Sequence, residues 1–325
     1  MKKLTVLFLS LFVLQACNDD PKDDKAILQP SSGNINNLSV IVENDLWNGE
    51  VGEVIRRLFA APVDGLPQEE PLFSMNQMPP EAFTGFVRKN RLFLSIQEGK
   101  EADVQVANDP FARPQTGIFV TGENREEIIA QLEKHADSII KALKATEIKE
   151  KQRRIQKSLK DDAKLEKDLG VSLKFPTAYR YAKEGDDFFW IRKDITNGSM
   201  EILVYEVPVN TIQKDTNIIG NIMAMRDSIG KKHIPGPLDG TYMITEEAYA
   251  PYIFESEIDG KFAWETKGTW EVKGAFMAGP FLNYAVFDEK NDRFVILEGF
   301  AFAPSARKRD NMQELEAILK SARIK

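Results

Sequence analysis

The chain has 325 residues, 42 % of them hydrophobic, which is material for one large or two modest cores. A formal net charge of −7 argues against a nucleic-acid partner, because that binding is dominated by neutralising phosphates. Cys17 is the single cysteine, so no internal disulfide can form; the two histidines offer no HExxH or His-x-x-x-His spacing for zinc.

The chain opens with Lys2 and Lys3, and Leu4 to Leu14 then forms an apolar run broken only by Thr5 and Ser10. At ~1.5 Å per residue this run covers roughly half of a ~30 Å hydrocarbon layer, too short to span it. That is the layout of a secretory signal peptide. Leu14-Gln15-Ala16-Cys17 resembles the lipobox of bacterial lipoproteins, with glutamine as a tolerated departure. The resemblance implies cleavage before Cys17 and acyl chains, palmitate among them, on its sulfur and new amino group. More than one chain anchors stably, at ~0.8 kcal/mol per buried methylene. Cleavage removes both lysines and lowers the net charge to −9. Residues 17–33 carry Asp19, Asp20, Asp23 and Asp24 with little to bury, and read as an acidic disordered tether. The acidic run resembles the surface-export signal of Bacteroidota lipoproteins; a plain spacer on a periplasm-facing protein is the other reading. The expected address is therefore the cell envelope, as an outer-membrane lipoprotein on its periplasmic or surface face.

Residues 34–165 are expected to form an α/β half ending in a long helix. Leu38 to Glu43 reads as a strand, and Val51, Val54, Ile55, Leu58 and Phe59 give one buried helix face. Five prolines in 62–80 predict an irregular extended stretch. Leu92 to Ile96 and Gly117 to Thr121 are short strands. Asn124 with Glu127 resembles a capping box ahead of Ile128, Leu132, Ala136, Ile139, Ile140 and Leu143. The apolar spacing thins through 145–168, a charged helix that Gly170 can end. The boundary between halves is expected near residue 165.

Residues 166–325 predict an antiparallel-sheet half with a terminal helix. Asn197-Gly198 joins strands at Phe188 to Arg192 and Met200 to Val207, and Asp259-Gly260 joins a second hairpin. Phe281 to Phe287 and Arg293 to Ala303 form a third. Ile218, Ile222, Met225 and Ile229 give a short helix that Gly230 can end, and Met312 to Ala322 carries the last. Both halves close on a strand running into an amphipathic helix (117–143 and 293–322), the pattern of a weak internal duplication, although such endings are common. The expected class is α+β: antiparallel-rich sheets with packed amphipathic helices, the two halves joined by a long charged helix, with similarity between them the less favoured reading.

No catalytic residue, metal ligand or cofactor can be assigned. There is no G-x-S-x-G elbow or phosphate-cradling P-loop, and Ser-x-x-Lys occurs at Ser138, Ser228 and Ser305 without the companion motifs that would give it meaning. His135 lies on an apolar helix stripe; His233 follows Lys231 and Lys232, which would depress its basicity, and reads as a loop residue. Arg307, Lys308 and Arg309 stand at the last helix. If that helix starts at Ser305 they form a candidate anion or partner site, with Glu69-Glu70 as one such partner; if Asp310 caps it they are merely solvated. Residues 141–167 hold ten Lys or Arg against five acids, which suits either a solvated helix or contact with an acidic surface. Phe262, Trp264, Trp270, Phe276, Phe281 and Tyr284 form an aromatic cluster; Trp264, Trp270, Phe281 and Tyr284 are its candidate ligand groove, with sheet core the alternative.

Trp47-Asn48-Gly49, the run from Leu66 to Phe73, Phe189 to Arg192, Gly279-Pro280-Phe281 and Ala303-Pro304 leading to Lys308-Arg309 together resemble a family of Bacteroidota lipoproteins classed as a domain of unknown function. The resemblance implies the envelope location and supplies no activity. The function expected is a non-enzymatic, lipid-anchored module that binds or positions an envelope protein, with its membrane partner reached through the lipid. The alternative is a hydrolase or glycan-binding protein using carboxylates that the fold assembles.

Overall fold

The computed structural model describes residues 28–185 and 187–325; the signal peptide, the lipobox with Cys17, and residues 18–27 of the tether lie outside the described residues. The end of the tether is not free. Ser31 and Ser32 donate their N–H groups to the carbonyls of Arg113 and Lys89, so the bonded body begins ahead of residue 34.

The first half runs β1 (Asn37–Ile41), α1 (Asn44–Trp47), α2 (Glu50–Phe59), β2 (Ser74–Met78), β3 (Leu92–Glu98), β4 (Asp103–Asn108), β5 (Thr116–Gly122) and α3 (Arg125–Ile155). The strands form one sheet in the order β2-β1-β3-β5-β4. β1 pairs parallel with β2 and β3, and β3 parallel with β5; β4 alone runs antiparallel. A parallel sheet is covered on both faces. Leu38, Val40, Leu92, Leu94, Ile118 and Val120 pack with Val51, Ile55 and Phe59 of α2 and Ile128, Leu132 and Ile139 of α3. Ile41, Phe83 and Phe93 fill the opposite side. Asn124 caps α3 through the Glu127 N–H, and the Glu127 carboxylate returns to the Glu123 N–H, one residue beyond a standard capping box.

Two strands were not foreseen here. β2 lies in the proline-rich stretch, and β4 is an edge strand whose Asp103, Gln105 and Asn108 are exposed. Neither shows the apolar pattern that a sequence reading can detect, because each buries little. The charged helix also ends earlier than expected, at Ile155.

The second half continues with α4 (Ala163–Leu169), β6 (Val171–Ser172), β7 (Arg180–Glu184), β8 (Phe188–Ile195), β9 (Gly198–Pro208), α5 (Val209–Ile212), α6 (Ile218–His233), β10 (Tyr242–Thr245), β11 (Tyr252–Ile258), β12 (Lys261–Lys273), β13 (Ala275–Asp288), β14 (Arg293–Phe302), α7 (Arg309–Leu319) and β15 (Arg323–Ile324). The large sheet is antiparallel throughout, in the order β10-β12-β13-β14-β9-β8-β7, with β11 also on β12. β6 and β15 form a separate pair. All three expected hairpins are present, and Asn197 and Asp259 take the positive φ their turns need. A mostly parallel sheet beside an antiparallel meander fits the favoured reading that the two strand-to-helix endings are merely common rather than a duplication.

Alternation along the strands gives the large sheet two buried faces. Leu282, Tyr284, Val286, Val295 and Leu297 pack beneath Leu315, Ile318 and Leu319 of α7. Tyr205, Phe281, Ala285, Phe294, Ile296 and Phe300 pack with Ile222 and Met225 of α6. Gly230 does not stop α6; a Cβ there would lie 2.1 Å from the Met243 carbonyl oxygen, so this glycine lets the helix lie close to β10. His233 is accordingly the last residue of α6 rather than a loop residue. Its ring stacks on Phe188 at 4.0 Å, and burial followed by the charges of Lys183 and Lys232 lowers its pKa.

The halves are fastened by polar contacts as well as packing. Asn36 donates to Asp310, Lys151 pairs with Glu314 at 3.3 Å, and Gln152 donates to the Ala317 carbonyl. The basic stretch of α3 is thus partly internal. Glu147 and Glu150 are buried; Arg91 bonds Glu147 at 3.1 Å, and Arg153 and Arg154 bond Glu150.

Candidate functional site

Arg226 fixes α6 to the sheet. Its guanidinium donates to both Glu298 oxygens at 2.8 and 2.7 Å, bonds Thr245 at 2.5 Å, and lies 3.4 Å over the Phe281 ring. Asn283 adds a bond to Glu298 at 2.9 Å. Both charged side chains are 1 % exposed, so this is a bidentate ion pair inside the core.

Beyond the end of α6 the same face of the sheet is left open. The gap is a cleft of about 410 Å³, bounded by Trp190, Trp270, Phe300 and Phe302 from three strands, by Met243 and Met277, and by Ile234 to Pro237 on the loop leaving α6. Trp270 meets Phe300 edge-on at 5.4 Å and Phe302 at 6.3 Å. The turn at Asn197-Gly198 is pressed against this wall, where a Cβ on Gly198 would fall 1.9 Å from the Phe302 carbonyl oxygen.

One carboxylate and one guanidinium stand among these rings. Glu201 of β9 is 3 % exposed, accepts from the Trp190 indole N–H at 2.7 Å, and lies 3.6 Å from Arg192. Burial raises its pKa, opposed by bonds from Ser199 and Trp190 and by the charge of Arg192. The Trp270 indole N–H is buried and has no acceptor among the described residues. An apolar pocket carrying a few convergent polar groups is the usual form of a small-molecule site.

The expected aromatic groove does not assemble as one surface. Trp270 lines this cleft, Phe281 sits beneath Arg226, and Trp264 packs at the margin of the same core. Tyr284 points through the opposite face, where Lys320, capping the end of α7, lies 5.8 Å over its ring. Residues 281 and 284 are three apart on one strand, so they must face opposite ways. Trp190, Glu201 and Arg192 were missed, because cross-strand pairing of Trp190 with Leu203 and of Arg192 with Glu201 is what gathers them.

The candidate anion site is already filled. Lys308 and Arg309 donate their backbone N–H groups to Glu70 at 2.6 and 3.2 Å, so a carboxylate from the first half caps α7. Lys308 is 2 % exposed with its ammonium on Gln68, Arg309 bonds the Pro71 carbonyl, and Arg307 is exposed. The helix starts at Arg309, with Lys308 as its cap, rather than at Ser305 or Asp310. Lys308 and Arg309 are therefore structural fasteners between the halves. Among the described residues no group of three His, Cys, Asp or Glu side chains could hold a metal, and no helix is long and apolar enough to cross a membrane.

A family profile described as "Domain of unknown function (DUF4837)" matches residues 158–321, half of the chain. The chain belongs to the DUF4837 family. In this DUF4837 protein the preceding residues, 31–156, match a second profile, "Domain of unknown function (DUF8532)", and the two matches meet where α3 ends. Neither description carries an activity. No curated protein matches the chain. Among solved structures, LpqN of Mycobacterium tuberculosis, described as involved in cell envelope biogenesis, is similar at 12 % identity and a TM-score of 0.29, over 47 % of this chain and 81 % of that one.

Proposed function

We propose that this DUF4837 protein is a lipid-anchored binding protein of the cell envelope, held in the outer membrane through acylated Cys17, and that its cleft takes a short glycan. The observation that carries the reading is the combination of Trp190, Trp270 and Phe302 walls with Glu201 and Arg192. Aromatic rings pack on the C–H faces of sugar rings, and hydroxyl groups, which both donate and accept, match a carboxylate beside a guanidinium. A volume of about 410 Å³ suits a mono- or disaccharide segment.

Binding rather than cleavage is proposed because glycoside hydrolysis generally needs two carboxylates, ~5 to 9.5 Å apart across the scissile bond. Among the described lining residues Glu201 is the single carboxylate. An envelope protein is the second reading, supported by the fully exposed Phe276 at the start of β13 and by Leu238, 62 % exposed, on the bend beside the cleft.

Calorimetric titration of the protein with soluble envelope glycans tests the first reading. Binding that weakens at least ~10-fold in Trp190→Ala supports it. Absence of binding across the panel, or binding indifferent to Trp190, would overturn it.

A further inference from the structure

The bonded body meets its tether at one place. Arg113 donates its N–H to the Gln29 carbonyl at 2.9 Å, Ser31 donates back to the Arg113 carbonyl, and Ser32 donates to the Lys89 carbonyl at 2.8 Å. The Lys89 ammonium also reaches the Gln29 side chain. The chain leading back to Cys17 therefore leaves the body between Lys89 and Arg113. We infer that the face around this exit, carrying Phe86, Arg88 and Lys89, rests on the phospholipid bilayer, with Phe86 entering the boundary between headgroups and acyl chains. The inference rests on the reading of Cys17 as the acylated residue.

Phe86 belongs to a short 3-10 turn, Gly85–Lys89, and is 69 % exposed. That turn is pinned to the body. Val87 packs against the cluster of Ile41, Phe83 and Phe93, and Arg88 donates its Nε–H to the Phe83 carbonyl at 2.9 Å while lying 5.1 Å over the Phe111 ring. A fixed turn thus holds a large apolar ring out in water, where removal from solvent would be favourable. The Lys89 ammonium lies 5.6 Å over the same ring, so apolar surface and positive charge are presented together, as the headgroup region requires.

Asp109 neutralises Arg113 at 2.7 Å, and Glu81 stands exposed in the preceding turn. Among the described residues neither Arg88 nor Lys89 meets a carboxylate within 4.0 Å. Both cations are left for lipid phosphates, which attract Lys and Arg held at a bilayer surface. A chain of net negative charge is repelled by anionic lipid, which favours approach through a face where cations outnumber acids. Gln29 is 12 residues after Cys17. At ~3.3–3.6 Å per residue the exit stays within roughly 43 Å of the acylated residue. A link of that length gives an effective concentration on the order of millimolar, enough for a contact too weak to hold the body unaided.

Cys17 is the single cysteine, so its acylation leaves no thiol, and Thr84→Cys at an exposed position beside Phe86 gives one site for an environment-sensitive fluorophore. The acylated full chain is reconstituted in vesicles of phosphatidylethanolamine and phosphatidylglycerol, with and without nitroxide-bearing lipid. The probe at position 84 is expected to shift to the blue and to lose emission to the nitroxide lipid. A probe at Phe276→Cys, exposed on the second half, should keep its solvent spectrum. Phe86→Ser with Lys89→Gln should return the position-84 probe to its solvent spectrum while the protein still floats with the vesicles. Equal quenching at both positions, a solvent spectrum at both, or a double variant without effect, in chains that float, would overturn the inference and leave the anchor standing. A chain that carries no acyl mass and does not float would overturn the anchor and the inference with it. Glycan binding in the aromatic cleft is tested separately.

Discussion

Replacing Glu298 with Gln tests whether the wall of the aromatic cleft is held by a buried charge pair. The change keeps the side-chain shape and an oxygen for Asn283, but leaves the Arg226 guanidinium, 1 % exposed, without its counter-ion. Removing one member of a buried pair costs about 3–5 kcal/mol, because the orphaned charge keeps its desolvation penalty. At ~2–4 °C per kcal/mol for a unit of this size, the melting temperature should fall by roughly 6–20 °C. Arg226→Met combined with Glu298→Gln removes the orphaned charge, so the double variant should be less destabilised than the two single changes summed. Urea unfolding followed by circular dichroism, with calorimetry alongside, measures all three. A loss below ~1 kcal/mol for Glu298→Gln, or strict additivity, would refute the reasoning.

Three further outcomes are expected. Because the folded state raises the Glu201 pKa, it binds that proton more tightly than the unfolded chain; the resulting stability is present at low pH and lost as pH climbs above ~4.3 through the raised value. Glu201→Gln should therefore gain stability relative to the parent as pH rises to neutral, and urea midpoints showing a pH-independent difference would contradict this. Glu70→Ala uncaps α7 and should cost about 0.5–2 kcal/mol by the same unfolding assay, whereas an unchanged midpoint would mean that the Lys308 and Arg309 N–H groups are satisfied otherwise. Cys17→Ser should move the protein from the membrane to the soluble fraction and abolish incorporation of a fatty-acid probe; retained label would place acylation elsewhere.

Much of the second half was legible because its signals are local. Asn197-Gly198 and Asp259-Gly260 are turn chemistry written in adjacent residues, and the α3 cap needs only Asn124 and Glu127. β2 and β4 were not legible, since edge strands bury too little to leave an apolar period. Glu147 and Glu150 looked like solvated helix charges; Glu147 is buried because Arg91, just ahead of β3, reaches it, while Glu150 is held by Arg153 and Arg154 of its own helix with Arg91 4.0 Å away. The aromatic cleft depends on register: Arg192 reaches Glu201 because β8 and β9 pair there, which no spacing announces. By contrast, Glu69-Glu70 was already one of the partners the sequence offered for the Arg307 to Arg309 run, and folding joins them through Glu70, 238 residues from Lys308.

The four tryptophans provide the most direct test of the binding site. Two of them, Trp190 and Trp270, line the cleft, while Trp47 packs in the first half and Trp264 lies outside the lining. Indole N–H resonances recorded while an envelope glycan is added should move for Trp190 and Trp270 and stay fixed for Trp47 and Trp264. Shifts confined to Trp47 or Trp264, or no shift with any glycan tried, would contradict a sugar site in this cleft.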